Sequence, residues 1–206
     1  GVLTGLAMLL AEELEVDPRA VVVKLAPADR AYDNPVLHAQ VTGGSSSIRV
    51  AFEPLRRAGA QAREVLLQAA AQQLGVAVQT LEARHGQVVH AQSGRALAYG
   101  ELAAAAAQLP LPDADAVRLK EPASFRLIGH DMPRLDSPGI VHGAPVFGID
   151  VQLPGLLVAV VARSPAFGAE LQGFDASHAQ GMPGVAKVLR IASGVAVIAA
   201  SYPQAL

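Results

Sequence analysis

The 206-residue sequence predicts an α+β fold in two parts. Leucines recur at helical spacing from Leu3 to Leu14, and a second, longer helical pattern covers residues 46–74. The last third of the chain changes to short β-branched runs broken by glycine and proline. Hydrophobic residues make up 51% of the chain and charged residues 17%, which is enough apolar material for a packed core.

The first predicted element is an amphipathic helix over residues 2–15. Thr4 or a residue before Gly1 can cap its start, and Asp17-Pro18 ends it, because proline disfavours helical backbone in the residue before it. We interpret Glu12 and Glu13, which flank the apolar stripe, as a solvated helix face.

A short strand and a loop are predicted next. The run Ala20–Leu25 is rich in valine and predicts a buried strand. Residues 26–41 contain several prolines, aspartates and an asparagine, and this loop is long enough to suggest a function. The long helix over residues 46–74 follows, with Pro54 in or near its early turns.

Short strands are predicted over residues 79–98, with turns at His85-Gly86 and Ser93-Gly94. An alanine-rich helix over residues 99–108 follows, and the proline-rich stretch 110–115 predicts a domain boundary. In the second part, the elements predicted are a buried strand within residues 151–163, a short helix over 174–180, and strands over 184–191 and 194–200.

Composition excludes several classes of function. The formal net charge of −2, without a lysine or arginine cluster, gives no reason to expect nucleic-acid binding. The absence of cysteine excludes disulfides, thiol catalysis and iron–sulfur ligation within these residues. No 18-residue uncharged apolar run predicts a membrane span. The chain starts at Gly1 without methionine and has no charged tail, which we interpret as a fragment of a longer protein.

The run Thr42–Arg49 is the strongest functional signal. Two glycines and three serines precede a helix, and backbone N–H groups with hydroxyls at a helix start suit a phosphate. The alternative is a glycine–serine loop that only caps the helix. The run is not a Walker loop, since the required lysine is missing, and no Gly-x-Gly-x-x-Gly supports a nicotinamide-binding unit.

Other site types have weaker signals. None of the six histidines forms a zinc-binding pair, and His85 and His90 flank a hairpin that would expose them. His38 lies shortly before the glycine–serine run, but a solvent-facing or core-capping histidine is the better explanation. A serine hydrolase using Ser45–Ser47 lacks the Gly-x-Ser-x-Gly elbow.

Motifs in a fixed order resemble the molybdopterin-binding subunits of the xanthine dehydrogenase/aldehyde oxidase family, in the isoquinoline 1-oxidoreductase beta-subunit type. The first part resembles the cofactor-binding segment and residues 134–206 resemble the α/β hammerhead domain. The matching stretches in the first part are Gly1–Leu6, Ala11–Leu14, Ala26–Asp29, Thr42–Arg49 and Glu53–Gly59. Those in the second part are Arg134–Asp136, Gly143-Ala144, Val146–Asp150, Leu153–Gly155, Ala162–Pro165 and Met182–Val185.

The resemblance implies a domain order: a partial molybdopterin-binding segment over 1–115, a linker over 116–133 and the hammerhead domain over 134–206. It implies a molybdenum–molybdopterin dinucleotide, with cytosine as the expected base, and places the Gly44 backbone near the metal without ligating it. The implied cofactor-binding residues are Gly1, Gly43, Gly44, Ser45, Ser46 and Ser47.

The resemblance further implies partners and a reaction. These are a small subunit carrying 2Fe-2S clusters, the rest of the large subunit, and an aromatic N-heterocycle or aldehyde that is hydroxylated with oxygen from water. The family's catalytic glutamate in a Gly-Glu-Pro context and its Gly-Gly-Phe-Gly segment have no match here, and Ile140 replaces a usual lysine. We therefore expect no catalytic residue in these 206 residues. The other interpretation is a non-catalytic phosphate-binding or assembly module, and the compartment stays open between periplasm, by twin-arginine export, and cytoplasm.

Overall fold

The computed structural model describes residues 1–206, which divide into two compact units, Gly1–Ala144 and Pro145–Leu206. The fold mixes helices with two small antiparallel sheets, as the sequence predicted. No helix combines the length and apolar character needed to cross a membrane.

Four helices and one sheet build the first unit. The predicted first and second helices are confirmed, as are the short strands and the helix after them. The helices are α1 (Val2–Leu14), α2 (Ser46–Leu74), α3 (Tyr99–Ala106) and α4 (Ser137–Val141). The strands are β1 (Leu81–Arg84), β2 (Gln87–His90) and β3 (Ala96–Ala98).

The core of this unit lies between the second half of α2, the sheet and α3. The strands are antiparallel in the order β1-β2-β3, and the register pairs Ala83 with Val88. Val88 and Leu102 are fully buried, so each contributes about 1.5–3 kcal/mol by leaving water. The buried members of the core are Val65, Leu66, Ala69, Ala70, Val88, Leu102 and Ala106.

Helices α1 and α2 pack closely because glycines lie at their interface. A Cβ built on Gly59 would lie 2.6 Å from the Leu10 carbonyl oxygen, and one built on Gly5 would lie 2.8 Å from Ile48 Cδ1. Gly5 and Ile48 both belong to first turns, whereas Gly59 meets the last turns of α1. The two helices therefore run in the same direction, with their starts side by side.

Glu12 and Glu13 are buried, so the interpretation of a solvated face is wrong. Only 1% of Glu12 and none of Glu13 is exposed. Glu13 accepts hydrogen bonds from Arg56 Nε at 2.8 Å and Arg63 Nη1 at 3.2 Å, both on α2. Sequence patterning could not reveal these partners, because the arginines lie more than forty positions away.

Residues 116–133, expected to be a linker, pack on α1 instead of spanning two domains. Glu12 Oε2 accepts backbone hydrogen bonds from Arg126 at 3.0 Å, Leu127 at 2.7 Å and Ile128 at 3.1 Å. Lys120 Nζ lies 2.8 Å from Glu12 Oε1. These bonds place the segment inside the first unit, and the observed division falls after Ala144.

The predicted strand over Ala20–Leu25 is wrong. Pro18–Ala20 form a 3-10 turn, and the following residues are extended but pair with no other strand. Val22 is 80% and Leu25 83% exposed. A strand needs a neighbouring strand for its backbone hydrogen bonds. The valine-rich sequence shows only that the side chains suit a sheet, and it does not show whether a neighbour is present.

Three smaller expectations also fail. Gly1, not Thr4, occupies the cap position of α1, and the buried Thr4 Oγ1 accepts a hydrogen bond from the Leu135 N–H at 3.0 Å. His90 is buried, and its Nδ1 lies 2.7 Å from Ser93 Oγ. The proline-rich stretch 110–115 is no boundary, since Arg57 Nη1 bonds the Ala114 carbonyl at 2.6 Å.

The second unit contains an antiparallel sheet in the order β4-β6-β5. Its strands are β4 (Val158–Ala162), β5 (Val185–Ile191) and β6 (Gly194–Ala199). The short helices α5 (Ser177–Gln180) and α6 (Tyr202–Ala205) accompany it. The three predicted strands and the helix over 174–180 are confirmed in shortened form, but β4 is not the buried strand expected, since none of its residues is buried.

We expect Gly59→Ala to destabilise the first unit by about 1–3 kcal/mol, because the new Cβ would overlap the Leu10 carbonyl and push the helices apart. Gly100→Ala in α3 is the matched control, since its Cβ meets nothing within 4 Å. That control should be neutral or stabilising by up to about 1 kcal/mol. Urea unfolding of the three proteins measures both effects, and equal stabilities would contradict the close approach.

We expect Glu12→Gln to alter the acid stability of the fold. Burial raises the pKa of Glu12, but hydrogen bonds from Lys120 and the backbone N–H groups of residues 126–128 outweigh it and lower the pKa below 4.5. The charged form therefore stabilises the fold fully above about pH 4.5, and this contribution is lost as the pH falls through the folded value.

Removing the charge should cost about 1.5–3 kcal/mol at pH 7, because Lys120 and the backbone N–H groups of residues 126–128 lose a charged acceptor, while Lys120 keeps its second partner, Glu15. The difference between wild type and Glu12→Gln should shrink as pH falls below 4.5. Denaturant unfolding at pH 7 and pH 3.5 measures it, with the exposed Glu53→Gln as control. A difference independent of pH would refute this assignment.

Candidate functional site

The glycine–serine run forms a left-handed turn that leads into α2. Gly44 and Ser45 both have left-handed backbone, with φ of 58° and 50°, and the Ser46 N–H bonds the Gly43 carbonyl at 3.1 Å. Glycine at position 44 is favoured because a side chain there would strain the turn. Gly44 and Ser45 are exposed, so the turn presents its backbone to ligands.

The start of α2 has unused hydrogen-bond donors. Ser45 is the N-cap residue, and no side chain caps the first turn. The first N–H groups of a helix lack partners within the helix, and they carry the positive end of the helix dipole. The hydroxyls of Ser45 and Ser47 make no hydrogen bond within the chain. These groups together provide neutral donors suited to an anionic ligand.

Ser46 differs from its two neighbours. Its hydroxyl is buried, donates to the Gly43 carbonyl at 2.7 Å and accepts from Asn34 Nδ2 at 2.8 Å. The sequence grouped Ser46 with Ser45 and Ser47 as cofactor-binding residues. The structure separates the three, since the Ser46 side chain has no free donor left for a ligand.

Two residues that the sequence analysis missed hold this turn. Arg49 donates from Nε to the Ser45 carbonyl at 3.1 Å and from Nη2 to the Gly44 carbonyl at 3.2 Å. Asn34 approaches from the preceding loop. Arg49 lies one helical turn after Ser45, a spacing that could have indicated its role, whereas Asn34 had no recognisable signal.

Gly1 lies at the same end of the helix pair. Its carbonyl accepts the Gly5 N–H at 3.0 Å, and Gly5 lies against Ile48 in the first turn of α2. The starts of two parallel helices therefore lie side by side. Their dipoles add at this end, which strengthens the attraction for negative charge.

The remaining candidates do not form a second site. No group of three or more His, Asp or Glu side chains has metal-binding geometry. His38 has left-handed backbone and is exposed, and His85 is exposed as well. The Ser45–Ser47 hydroxyls bond no histidine, so the geometry does not support a serine nucleophile.

Two open cavities lie elsewhere in the first unit. One of about 540 Å³ is lined mainly by apolar residues around Leu3 and Val21. The other, about 600 Å³, lies between Met8 and Met132 and includes His85 and His130. Neither is lined by the glycine–serine turn, so we identify the candidate site by its donors and not by cavity volume.

Comparisons with known proteins agree on one family. The beta chain of isoquinoline 1-oxidoreductase from Brevundimonas diminuta is 36% identical and aligns with 96% of the chain. The B chain of nicotinate dehydrogenase from Pseudomonas putida is 33% identical over the whole chain. A membrane-bound aldehyde dehydrogenase from Gluconacetobacter polyoxogenes, whose name includes pyrroloquinoline quinone, is 27% identical over 98% of the chain.

The chain spans only 30%, 17% and 27% of the lengths of these three relatives. The profile of a family described as the molybdopterin cofactor-binding domain matches residues 1–152, which include the glycine–serine turn and both long helices. The chain therefore belongs to the molybdopterin cofactor-binding domain family.

Proposed function

We propose that the Gly43–Ser47 turn holds the molybdopterin cofactor within a larger molybdenum-dependent oxidoreductase subunit. The observation that carries this proposal is the turn itself: exposed left-handed backbone at the start of α2, with uncapped N–H groups and a second helix start beside it. Membership of the cofactor-binding family supplies the identity of the anion.

The residues present fit such a cofactor. A Cβ built on Gly44 meets nothing within 4 Å, so a ligand can approach the backbone closely. The free donors are neutral N–H groups and the hydroxyls of Ser45 and Ser47, which suit a pyrophosphate or the pterin amide and carbonyl groups. Gly1 lies at the same helix end and completes the proposed set with Gly43.

The chain's contribution is binding and orientation. Bound molybdenum would supply the hydroxylation chemistry, with water as the source of oxygen and iron–sulfur clusters of a partner subunit as electron acceptors. The turn would fix the cofactor through backbone donors, which do not titrate, so the hydrogen-bonding groups that the chain supplies stay the same as the pH changes. Gly44 would lie nearest the metal without ligating it, and the absence of a Cβ there keeps this approach open.

The substrate class follows from the relatives' names alone. Isoquinoline and nicotinate are N-heterocycles, and the third relative is named for aldehydes. We propose a substrate of one of these two classes for the parent protein. The same proposal includes a cytosine dinucleotide form of the cofactor and a 2Fe-2S small subunit as partner. It also includes a hammerhead domain, which the sequence predicted over residues 134–206 and which would begin later, because residues 134–144 belong to the first unit.

We expect Gly44→Ala in the full-length protein to lower its molybdenum content, because the new Cβ would occupy the cofactor's approach. Gly75→Ala is a matched control at the other end of α2: φ is +65° against +58°, and its Cβ is also unobstructed. Both should lose about 1–2 kcal/mol of stability through left-handed strain. Metal analysis after purification distinguishes the two variants. Equal molybdenum contents would count against cofactor binding by the Gly43–Ser47 turn.

We expect the isolated 206-residue chain to show no hydroxylase turnover. The chain covers at most 30% of its relatives' lengths, and no residue in it matches the family's catalytic glutamate. An assay with an N-heterocycle, an aldehyde and an artificial electron acceptor tests this, with the full-length protein as the positive control. Turnover by the isolated chain would show that catalytic residues lie within it.

A further inference from the structure

We propose that Asn34 is a positioning residue for the cofactor, which acts by holding the Ser46 hydroxyl and thereby setting the Gly43–Ser46 turn. This inference rests on the proposed function of that turn. It assigns a task to the long loop before α2, and it removes the Ser46 side chain from the set of direct cofactor contacts.

The first evidence is that the hydrogen-bonding capacity of the Ser46 hydroxyl is directed inwards. Its proton goes to the Gly43 carbonyl at 2.7 Å, and it accepts the Asn34 Nδ2 proton at 2.8 Å. Only 2% of Ser46 and 8% of Asn34 is exposed. A buried bond of this kind is costly to leave unmade, because water cannot replace the lost partner.

The second evidence is that Asn34 is itself fixed. Its Oδ1 accepts the backbone N–H groups of Val36 at 3.0 Å and Leu37 at 3.2 Å, and its N–H bonds the Ala39 carbonyl at 2.9 Å. The amide group is thus oriented with its donor nitrogen towards Ser46. The amide oxygen of Asn34 stabilises the loop by accepting the Val36 and Leu37 N–H groups. The amide nitrogen of Asn34 donates to Ser46, so the position of the loop fixes that of the turn.

The third evidence is the orientation of the turn's carbonyls. Asn34 and Ser46 constrain the Gly43 carbonyl, while Arg49 binds those of Gly44 and Ser45 at 3.2 and 3.1 Å. With these three carbonyls turned to protein donors, the N–H groups of the turn and of the first helical turn are left for the ligand, except that of Ser46, which bonds the Gly43 carbonyl. Release of the Gly43 carbonyl would let it rotate towards the anion and repel it.

Asn34→Asp tests this in the full-length protein complex. Aspartate keeps an oxygen for Val36 and Leu37, but its second oxygen replaces the donor with an acceptor. The Ser46 hydroxyl must then donate its proton to the new carboxylate instead of to the Gly43 carbonyl, so the loop is retained while the Gly43 carbonyl is released. We expect roughly tenfold faster loss of molybdenum on dialysis, as one buried bond would predict. The electron paramagnetic resonance spectrum of the molybdenum that remains should shift, because the turn beside the metal has moved.

Gln40→Ala is the matched control in the same loop. Gln40 is also an amide residue that ties the loop together, through the Pro27 carbonyl at 2.9 Å, but it does not touch the turn. It should leave retention and spectrum unchanged. Ser46→Ala, which adds no charge, should behave as Asn34→Asp does. The double variant should be no worse than either single one, because both changes remove the hydrogen bond from the Ser46 hydroxyl to the Gly43 carbonyl.

The outcomes separate this inference from the cofactor proposal. If Asn34→Asp matches Gln40→Ala in molybdenum retention and spectrum, or if the effects of Asn34→Asp and Ser46→Ala add, the positioning role is refuted. If Asn34→Asp lowers only the melting temperature, Asn34 serves the fold and the inference is likewise refuted. If Gly44→Ala contains as much molybdenum as the loaded wild type, the Gly43–Ser47 turn does not hold the cofactor. That result would refute the proposed function and not only the role of Asn34.

Discussion

The first unit depends on two adjacent carboxylates buried on one side of α1. Glu13 points to α2, where Arg56 and Arg63 neutralise it, and Glu12 points to the segment 116–133. A buried charge is tolerated only when it is fully paired and hydrogen-bonded, so each carboxylate demands a specific arrangement of its partners. Pairing these two carboxylates therefore brings together α1, α2 and the segment 116–133, which are far apart in sequence.

Arg56 shows how completely this arrangement is satisfied. Its guanidinium lies between the rings of Phe52 and Phe125, at 5.1 and 4.9 Å from their centroids, and also bonds the Lys120 carbonyl at 2.6 Å. Cation–π contacts of this kind strengthen when water is excluded. No buried side-chain polar atom in the structure lacks a hydrogen-bond partner. The charge cluster therefore specifies one relative placement of α1, α2 and the later segment.

That placement is what assembles the candidate site. Because α1 and α2 are fixed side by side and run in the same direction, Gly1 and the glycine–serine turn share one end. Parallel helices are electrostatically unfavourable along their length, since like dipole ends meet. The buried ion pairs near the other end of α1 hold the two helices in this arrangement, because breaking any one of them would leave a buried charge unpaired. The positive helix ends at the start then become available for an anion.

The sequence by itself determined the local elements and the general site. Helical periodicity, turn glycines and β-branched runs predicted nearly every helix and strand, because these signals act within a few residues. The run Thr42–Arg49 predicted a turn at the start of α2 for the same reason, and the structure contains that turn. The resemblance to a cofactor family rested on short motifs in order, which the family match over residues 1–152 confirms.

Only the tertiary structure decided what depends on distant partners. It buried Glu12 and Glu13, left Ala20–Leu25 without a strand neighbour, and joined residues 116–133 to α1. It also distinguished Ser46 from the adjacent serines through Asn34, twelve residues earlier. In each case the outcome depends on whether a hydrogen-bond or ion-pair partner from a distant part of the chain is present. Such partners are not related by a helix or strand period, so a pattern along the chain could not reveal them.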